Sequence, residues 1–285
     1  MNKPQQLDIE HILRSRIPKR YSRFIPSPFY RGLERLIHQD LLNEVLSRAY
    51  PAEGCEFARR ALEILGVTVE SYGLDAIPVR GRYVFASNHP LGGLDGLALL
   101  DVVGRKFGDH LVHFPVNDML MNVEPLRSVF LPVNKYGAQG RDGAERLNNA
   151  YAGTGQILIF PAGLVSRIDD DGKIADLEWK KGFAAKALEY GRQIVPVRIE
   201  AQNRPIFYKA AQWRKALRIG VNLEQVLLPG ELAASRGMTI RIIFGKPQNM
   251  KMLADAFPDP RRMARHIRDL SNHLKIDRSA SEAES

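Results

Sequence analysis

The segment Arg82-Tyr83-Val84-Phe85-Ala86-Ser87-Asn88-His89-Pro90-Leu91-Gly92-Gly93-Leu94-Asp95 decides the fold. Its first half is rich in aromatic and β-branched residues, and Tyr83 to Ser87 reads as a strand. Pro90 stops that strand, because proline cannot donate to a ladder. Gly92 and Gly93 then permit a turn without side-chain clashes. Asp95 lies near the start of a helical stretch, Leu94 to Phe107, at the end of a helix where a carboxylate is favoured. A strand running through a glycine turn into a helix is a building unit of α/β proteins.

The same alternation continues outward. Glu56 to Leu65 reads as a helix, as do Arg141 to Ala152, Lys180 to Tyr190 and Pro260 to Lys275. Further strand candidates are Leu111 to Val116, Ser128 to Val133, Gln156 to Phe160, Ile194 to Ile199, Leu217 to Asn222 and Thr239 to Phe244. Gly191 suits a helix C-cap after Tyr190. The pattern predicts one α/β domain over residues 56–275, with a mixed, partly parallel sheet flanked by helices. Residues 276–285, rich in Ser and Glu, read as a disordered tail. Asp169-Asp170-Asp171-Gly172 is an acidic turn, and no further ligand spacing supports a metal there.

Residues 1–55 differ from the rest. Between Met1 and Asp40 there are eight Lys/Arg against four Asp/Glu, interleaved with Tyr21, Phe24, Phe29 and Tyr30. Leu33, Leu36, Ile37, Leu41, Leu42 and Val45 recur at helical spacing, so Pro28 to Arg48 reads as an amphipathic helix. Two readings fit this segment. It is a basic, aromatic anchor on anionic lipid, or its apolar face packs on the domain behind it.

The chain has 285 residues and a net charge of +9. A basic surface seeks an anionic partner, which admits nucleic acid, a membrane surface or an acidic co-substrate. No recognised nucleic-acid module is present, so binding to nucleic acid rests on charge alone and is not expected. The N-terminus lacks a signal-peptide pattern, and no apolar run reaches the ~18 residues a membrane span needs. The single cysteine, Cys55, excludes an internal disulfide and reads as a packing residue.

The chemistry gathers in the quoted segment. A histidine at a strand end and an aspartate at a helix start, joined by a glycine turn, can face each other. A neutral imidazole takes a proton from a hydroxyl near neutral pH. A carboxylate on its other nitrogen fixes the tautomer. No serine nucleophile is needed if the substrate brings the hydroxyl. The competing reading is a capping aspartate and a buried histidine in a tight turn. Candidate donors to an oxyanion are the backbone N–H groups of the Gly92-Gly93 turn and of Gly163. No phosphate-binding loop, dinucleotide fingerprint or zinc spacing is present, so no cofactor or metal is expected.

Asn88-His89-Pro90-Leu91-Gly92-Gly93-Leu94-Asp95 resembles the His–Asp motif of the PlsC-like lysophospholipid and glycerol-phosphate acyltransferases. The resemblance extends in order over roughly residues 70–250. Val129-Phe130-Leu131-Pro132-Val133-Asn134-Lys135 is similar to the family's second block and Ile159-Phe160-Pro161-Ala162-Gly163 to its third. Ile194-Val195-Pro196-Val197 is similar to the fourth. The resemblance implies a single acyltransferase domain, with His89 as general base and Asp95 as its orienting group. Asn88, Gly92, Gly93, Lys135, Gly163 and Arg167 are the residues it places against substrate.

It also implies transfer of a fatty acyl group from acyl carrier protein or CoA thioester to the hydroxyl of a lyso-lipid. The expected place is the cytoplasmic face of a bacterial inner membrane, with the enzyme bound peripherally. Two departures bear on the acceptor. Five residues separate His89 from Asp95, where the family has four. Ala162 replaces the third block's glutamate, and Leu164-Val165 replace its Thr-Arg pair, leaving Arg167 downstream. A lysophosphatidic-acid-type acceptor is the first expectation. A lyso-amino-acid lipid such as lyso-ornithine lipid is the alternative. A non-catalytic module binding lipid or carrier protein is the reading from another class, and it would need neither His89 nor Asp95.

Overall fold

The computed structural model describes residues 4–8, 10–11, 27–117, 120–133, 141–169, 171–216 and 227–276. The strand candidate 217–222, most of the basic segment before Pro28, Lys135 and residues 277–285 lie outside them.

The central strand is β2 (Tyr83–Ser87), whose residues are all buried. A strand covered on both faces reads as a continuous apolar run, which is what this sequence provides. The sheet has seven strands in the order β1-β9-β8-β2-β5-β3-β4. These are β1 (Thr68–Tyr72), β3 (Val112–Val116), β4 (Phe130–Pro132), β5 (Gln156–Ile159), β8 (Gln193–Glu200) and β9 (Thr239–Phe244). β8, β2, β5, β3 and β4 run parallel to one another. β9 pairs antiparallel with β8, and β1 parallel with β9. The sheet is therefore mixed and mostly parallel, as the sequence predicts. Proline at the end of β4 is tolerated because β4 is an edge strand.

Among the described residues, α1 (Ser27–Leu36), α2 (Gln39–Ala49) and α3 (Gly54–Leu65) precede the sheet. α4 (Gly93–Phe107) follows the glycine turn, α5 (Arg141–Ala152) precedes β5, and α6 (Gly182–Glu189) precedes β8. A two-stranded hairpin, β6 (Arg167–Ile168) with β7 (Ile174–Ala175), stands apart from the sheet. Its turn is the acidic one read from sequence: Asp169 Oδ1 accepts the N–H of Asp171 and of Lys173. After β8 come α7 (Pro205–Ala216) and α8 (Leu228–Ala234), and after β9 come α9 (Met250–Ala256) and α10 (Pro260–His273).

The amphipathic helix expected over Pro28 to Arg48 is two helices. His38 breaks it with φ 52° and ψ 49°, the left-handed region that histidine enters more readily than bulky residues. The apolar face turns inward. Tyr30 and Ile37 are buried, and Val45, Leu46 and Ala49 join the same core as Phe57, Phe85 and Leu100. For the described part of this segment, packing on the domain is thus the reading that holds.

Arg192 ties the sheet together from inside. Its guanidinium donates to the carbonyls of Ala150, Tyr151, Gly153, Gly155 and Tyr83, and no carboxylate among the described residues pairs with it. Three of these carbonyls belong to the last turn of α5 and its exit, where the helix dipole places negative partial charge. The charge is thereby met by five oxygens at 1% exposure. Burial pushes the group down to about 10, still protonated at neutral pH.

Candidate active site at the carboxyl ends of three strands

In open parallel sheets, sites form beyond the carboxyl ends of the strands. Here the ends of β2, β5 and β8 lie side by side and deliver Asn88-His89, Phe160-Pro161 and the Ala201–Asn203 segment. His89 leaves β2 and stacks on Phe160, with ring centroids 3.9 Å apart and planes within 12°. Its Nδ1 meets Asp95 Oδ2 at 2.9 Å. The Asp95 side chain is 0% exposed and that of His89 is 16% exposed. Nε2 has no partner among the described residues, so the ring presents one nitrogen outward and binds the carboxylate with the other.

Asp95 is the third residue of α4. Its Oδ2 also accepts the N–H of Leu91 at 2.8 Å and of Gly92 at 3.0 Å. Two main-chain donors and the imidazole therefore converge on one oxygen, which fixes the carboxylate in place. The turn between His89 and Asp95 is absorbed by Gly92 alone. It has φ 97°, and an added Cβ would lie 3.2 Å from Leu228. Gly93 already belongs to α4, has no positive φ, and a Cβ there would meet nothing within 4 Å.

Three groups that the sequence reading places against substrate are engaged within the protein. The Asn88 side chain reaches β8. Its amide accepts the N–H of Ile199 at 2.7 Å and donates to the Ile199 carbonyl at 3.0 Å, fastening the ends of β2 and β8. The Gly92 N–H, offered as an oxyanion donor, is taken by Asp95. The Gly163 N–H donates to the Phe160 carbonyl at 2.9 Å within its own turn. Of those donor candidates, Gly93 alone keeps an N–H without an acceptor among the described residues.

Arg167 sits beside the site. The residue before it, Ser166, donates its N–H to the His89 carbonyl at 2.8 Å. The Arg167 guanidinium lies 4.9 Å above the Phe207 ring, and Nη1 donates to the Val165 carbonyl.

The sequence reading missed Asp176. This carboxylate follows β7 and is half-buried beneath the turn that carries His89. Oδ1 accepts the His89 N–H at 3.1 Å and the Ser166 hydroxyl at 2.6 Å; Oδ2 accepts the Trp179 Nε1–H at 2.9 Å. Burial pushes the Asp176 carboxyl above its ordinary value, against the pull of these donors. The hairpin thus grips His89 by both main-chain groups, its N–H through Asp176 and its carbonyl through Ser166. The only hint in the sequence is a lone carboxylate in the apolar run Ile174-Ala175-Asp176-Leu177. On the opposite side, Asn203 donates to the Pro90 carbonyl at 3.0 Å, and its own N–H is held by the Tyr208 hydroxyl.

A family model described as Acyltransferase matches residues 11–280. The chain belongs to this acyltransferase family. Two relatives are each 37% identical over 264 residues, which is 93% of this chain: lyso-glycine lipid O-acyltransferases of Bacteroides thetaiotaomicron and Phocaeicola vulgatus. The match covers 96% and 93% of those proteins, respectively. Among solved structures, the 1-acyl-sn-glycerophosphate acyltransferase PlsC of Thermotoga maritima is similar with a TM-score of 0.46 and 18% identity, over 88% of this chain and 83% of that one.

For an acyltransferase, the altered third block acquires a physical meaning. Ala162 is buried against Trp179 and Phe183. Val165 is buried with Phe207 and Tyr208. These positions serve the packing beneath the hairpin and offer no polar atom to a head group.

Proposed function

We propose that this acyltransferase moves a fatty acyl group from a thioester to the hydroxyl of a lyso-lipid with an amino-acid head group. The observation that carries the mechanism is the His89 Nδ1 to Asp95 Oδ2 contact of 2.9 Å beneath an unpartnered Nε2. His89 Nε2 takes the acceptor's hydroxyl proton as its oxygen attacks the thioester carbonyl. The tetrahedral intermediate collapses with loss of the thiolate, which receives the proton from the imidazolium. Asp95 holds the ring through Nδ1 and stabilises its charged form. Asp176 and Ser166 hold the histidine's main chain so that the ring keeps its place between Phe160 and Asp95. Gly93, at the first turn of α4, is our candidate donor to the oxyanion.

Two features support the amino-acid head group over a phosphate. Ala162 and Val165 of the third block are apolar and buried, and the relatives are named for a lyso-glycine lipid. A carboxylate needs fewer cationic partners than a phosphate monoester, and Arg167 and Lys135 remain the candidates to meet it. The donor is acyl carrier protein or CoA thioester. We further propose peripheral binding to the inner face of the membrane. No described helix is long and apolar enough to cross one.

The test is an acyl-transfer assay on purified protein, with both thioester donors and three acceptors: lyso-glycine lipid, lyso-ornithine lipid and lysophosphatidic acid. Amino-acid acceptors should give the higher kcat/KM, and His89→Ala should abolish turnover. Residual turnover above one per cent of wild type in His89→Ala would remove the general base from the mechanism. Preference for lysophosphatidic acid would overturn the head-group assignment.

A further inference from the structure

A surface helix is normally apolar on one face only. α7 is apolar on two. Its inner face carries Phe207, Tyr208 and Ala211, all buried. Phe207 and Tyr208 pack with Val165 against Ile168 and Leu228. Its outer face carries Ile206 at 59% exposure and Trp213 at 71%. These two are seven residues apart and so lie on one side, with exposed Lys209 between them. The helix sequence holds three basic residues, Lys209, Arg214 and Lys215, and no acidic one. The hairpin that α7 packs against adds two more exposed apolar side chains, Ile174 at 40% and Leu177 at 41%.

We propose that the outer side of α7, beside the β6–β7 hairpin, is where the protein seats on an anionic bilayer. The inference rests on the lyso-lipid reading above, since a lipid acceptor must be reached from a membrane. Three observations select lipid over a protein partner. Tryptophan combines a large apolar body with one polar N–H, the combination favoured at the membrane interface. The α7 sequence carries basic residues and no acidic one, and exposed Lys209 lies between the two apolar side chains, which complements an anionic surface. And both elements are bonded to the catalytic turn. The hairpin holds His89 through Ser166 and Asp176, and Asn203, two residues before α7, holds Pro90. Seating α7 in the interface therefore sets His89 at the depth of the acceptor's hydroxyl.

The chain has two tryptophans, and Trp179 is only 4% exposed. Intrinsic fluorescence therefore reports on Trp213. The experiment adds vesicles of phosphatidylglycerol and phosphatidylcholine to the full chain under selective tryptophan excitation. A blue shift, with quenching by brominated acyl chains, is expected on anionic vesicles, and Trp213→Phe should abolish both. The double variant Ile206→Ser with Trp213→Ser should weaken vesicle partitioning by about tenfold or more, the scale set by losing two partly buried apolar side chains. Its turnover on a short-chain, monomerically dissolved acceptor should match wild type.

An unshifted Trp213 on vesicles that bind the protein would overturn the inference. So would wild-type partitioning of the double variant, which would leave binding to other segments. A shift that tracks protein concentration without lipid would show a second copy on this face instead, and would equally overturn it. None of these outcomes touches the acyl-transfer assay. Failure to acylate any acceptor would sink the functional reading while the fluorescence result still stood.

Discussion

Replacing Asp176 with asparagine keeps the size of the side chain and removes one acceptor. If the remaining oxygen stays where Oδ1 is, the His89 N–H and Ser166 hydroxyl keep their partner. The new amide then faces the Trp179 N–H, donor against donor. One charge-assisted hydrogen bond is lost, worth about 1.5–3 kcal/mol. If the amide rotates to satisfy Trp179, the conflict moves to the His89 N–H and the cost is similar. Either way the grip on His89 loosens, and kcat should fall by about ten- to hundredfold if that energy is lost from the transition state. KM for a soluble acceptor should change little, because Asp176 touches no substrate.

Adding Trp179→Phe removes the competing donor, so the Asp176→Asn, Trp179→Phe double variant should recover most of the lost kcat. Stability moves in a different direction from activity. The Asp176 carboxyl titrates above its unfolded value because of burial. The stability it contributes is therefore full below the unfolded pKa and falls as pH rises through the folded one. Asparagine does not titrate. In urea unfolding, the gap between the two proteins should thus shift toward the variant as pH rises from the acid range to neutrality. Wild-type kcat in Asp176→Asn, or a kcat loss that Trp179→Phe deepens rather than relieves, would refute the positioning role.

The two glycines of the turn should separate cleanly. Gly92→Ala forces a side chain into a positive φ beside Leu228 and should cost about 1–3 kcal/mol along with most activity. Gly93→Ala should leave activity intact and stability unchanged or slightly raised; thermal melts and the acyl-transfer assay read both. Arg192→Met leaves five buried carbonyls without their donor and should destabilise by about 3–5 kcal/mol, with Arg192→Lys recovering little, because a single ammonium cannot match the planar fork. Cys55 is buried and its thiol is pushed up to about 12 by burial. It should resist alkylation by iodoacetamide in the native state and react only as the protein unfolds, which mass spectrometry across a urea series can follow.

The local sequence carried much of this protein. β2, α5 and β9 have their sequence-predicted bounds, because continuous apolar runs and helical periodicity are local signals read without knowing any partner. The His89–Asp95 pair was equally legible, since strand, turn and helix are contiguous and six residues of chain suffice to bring the two side chains together. α7 escaped because apolar residues on both its faces erase the single stripe that marks a surface helix. The left-handed break at His38 has no glycine to announce it.

What only the tertiary structure decided are the assignments of hydrogen bonds. Asn88, Gly92 and Gly163 have the right chemistry to touch substrate, yet their polar groups are engaged by Ile199, Asp95 and Phe160. Asp176 lies 87 residues from His89 in the chain. It meets His89 only because the sheet places the carboxyl ends of β2 and β5 together and the hairpin folds back over them. A hydrogen bond depends on distance and direction in space. Sequence fixes those only over a few residues of chain, and packing fixes the rest.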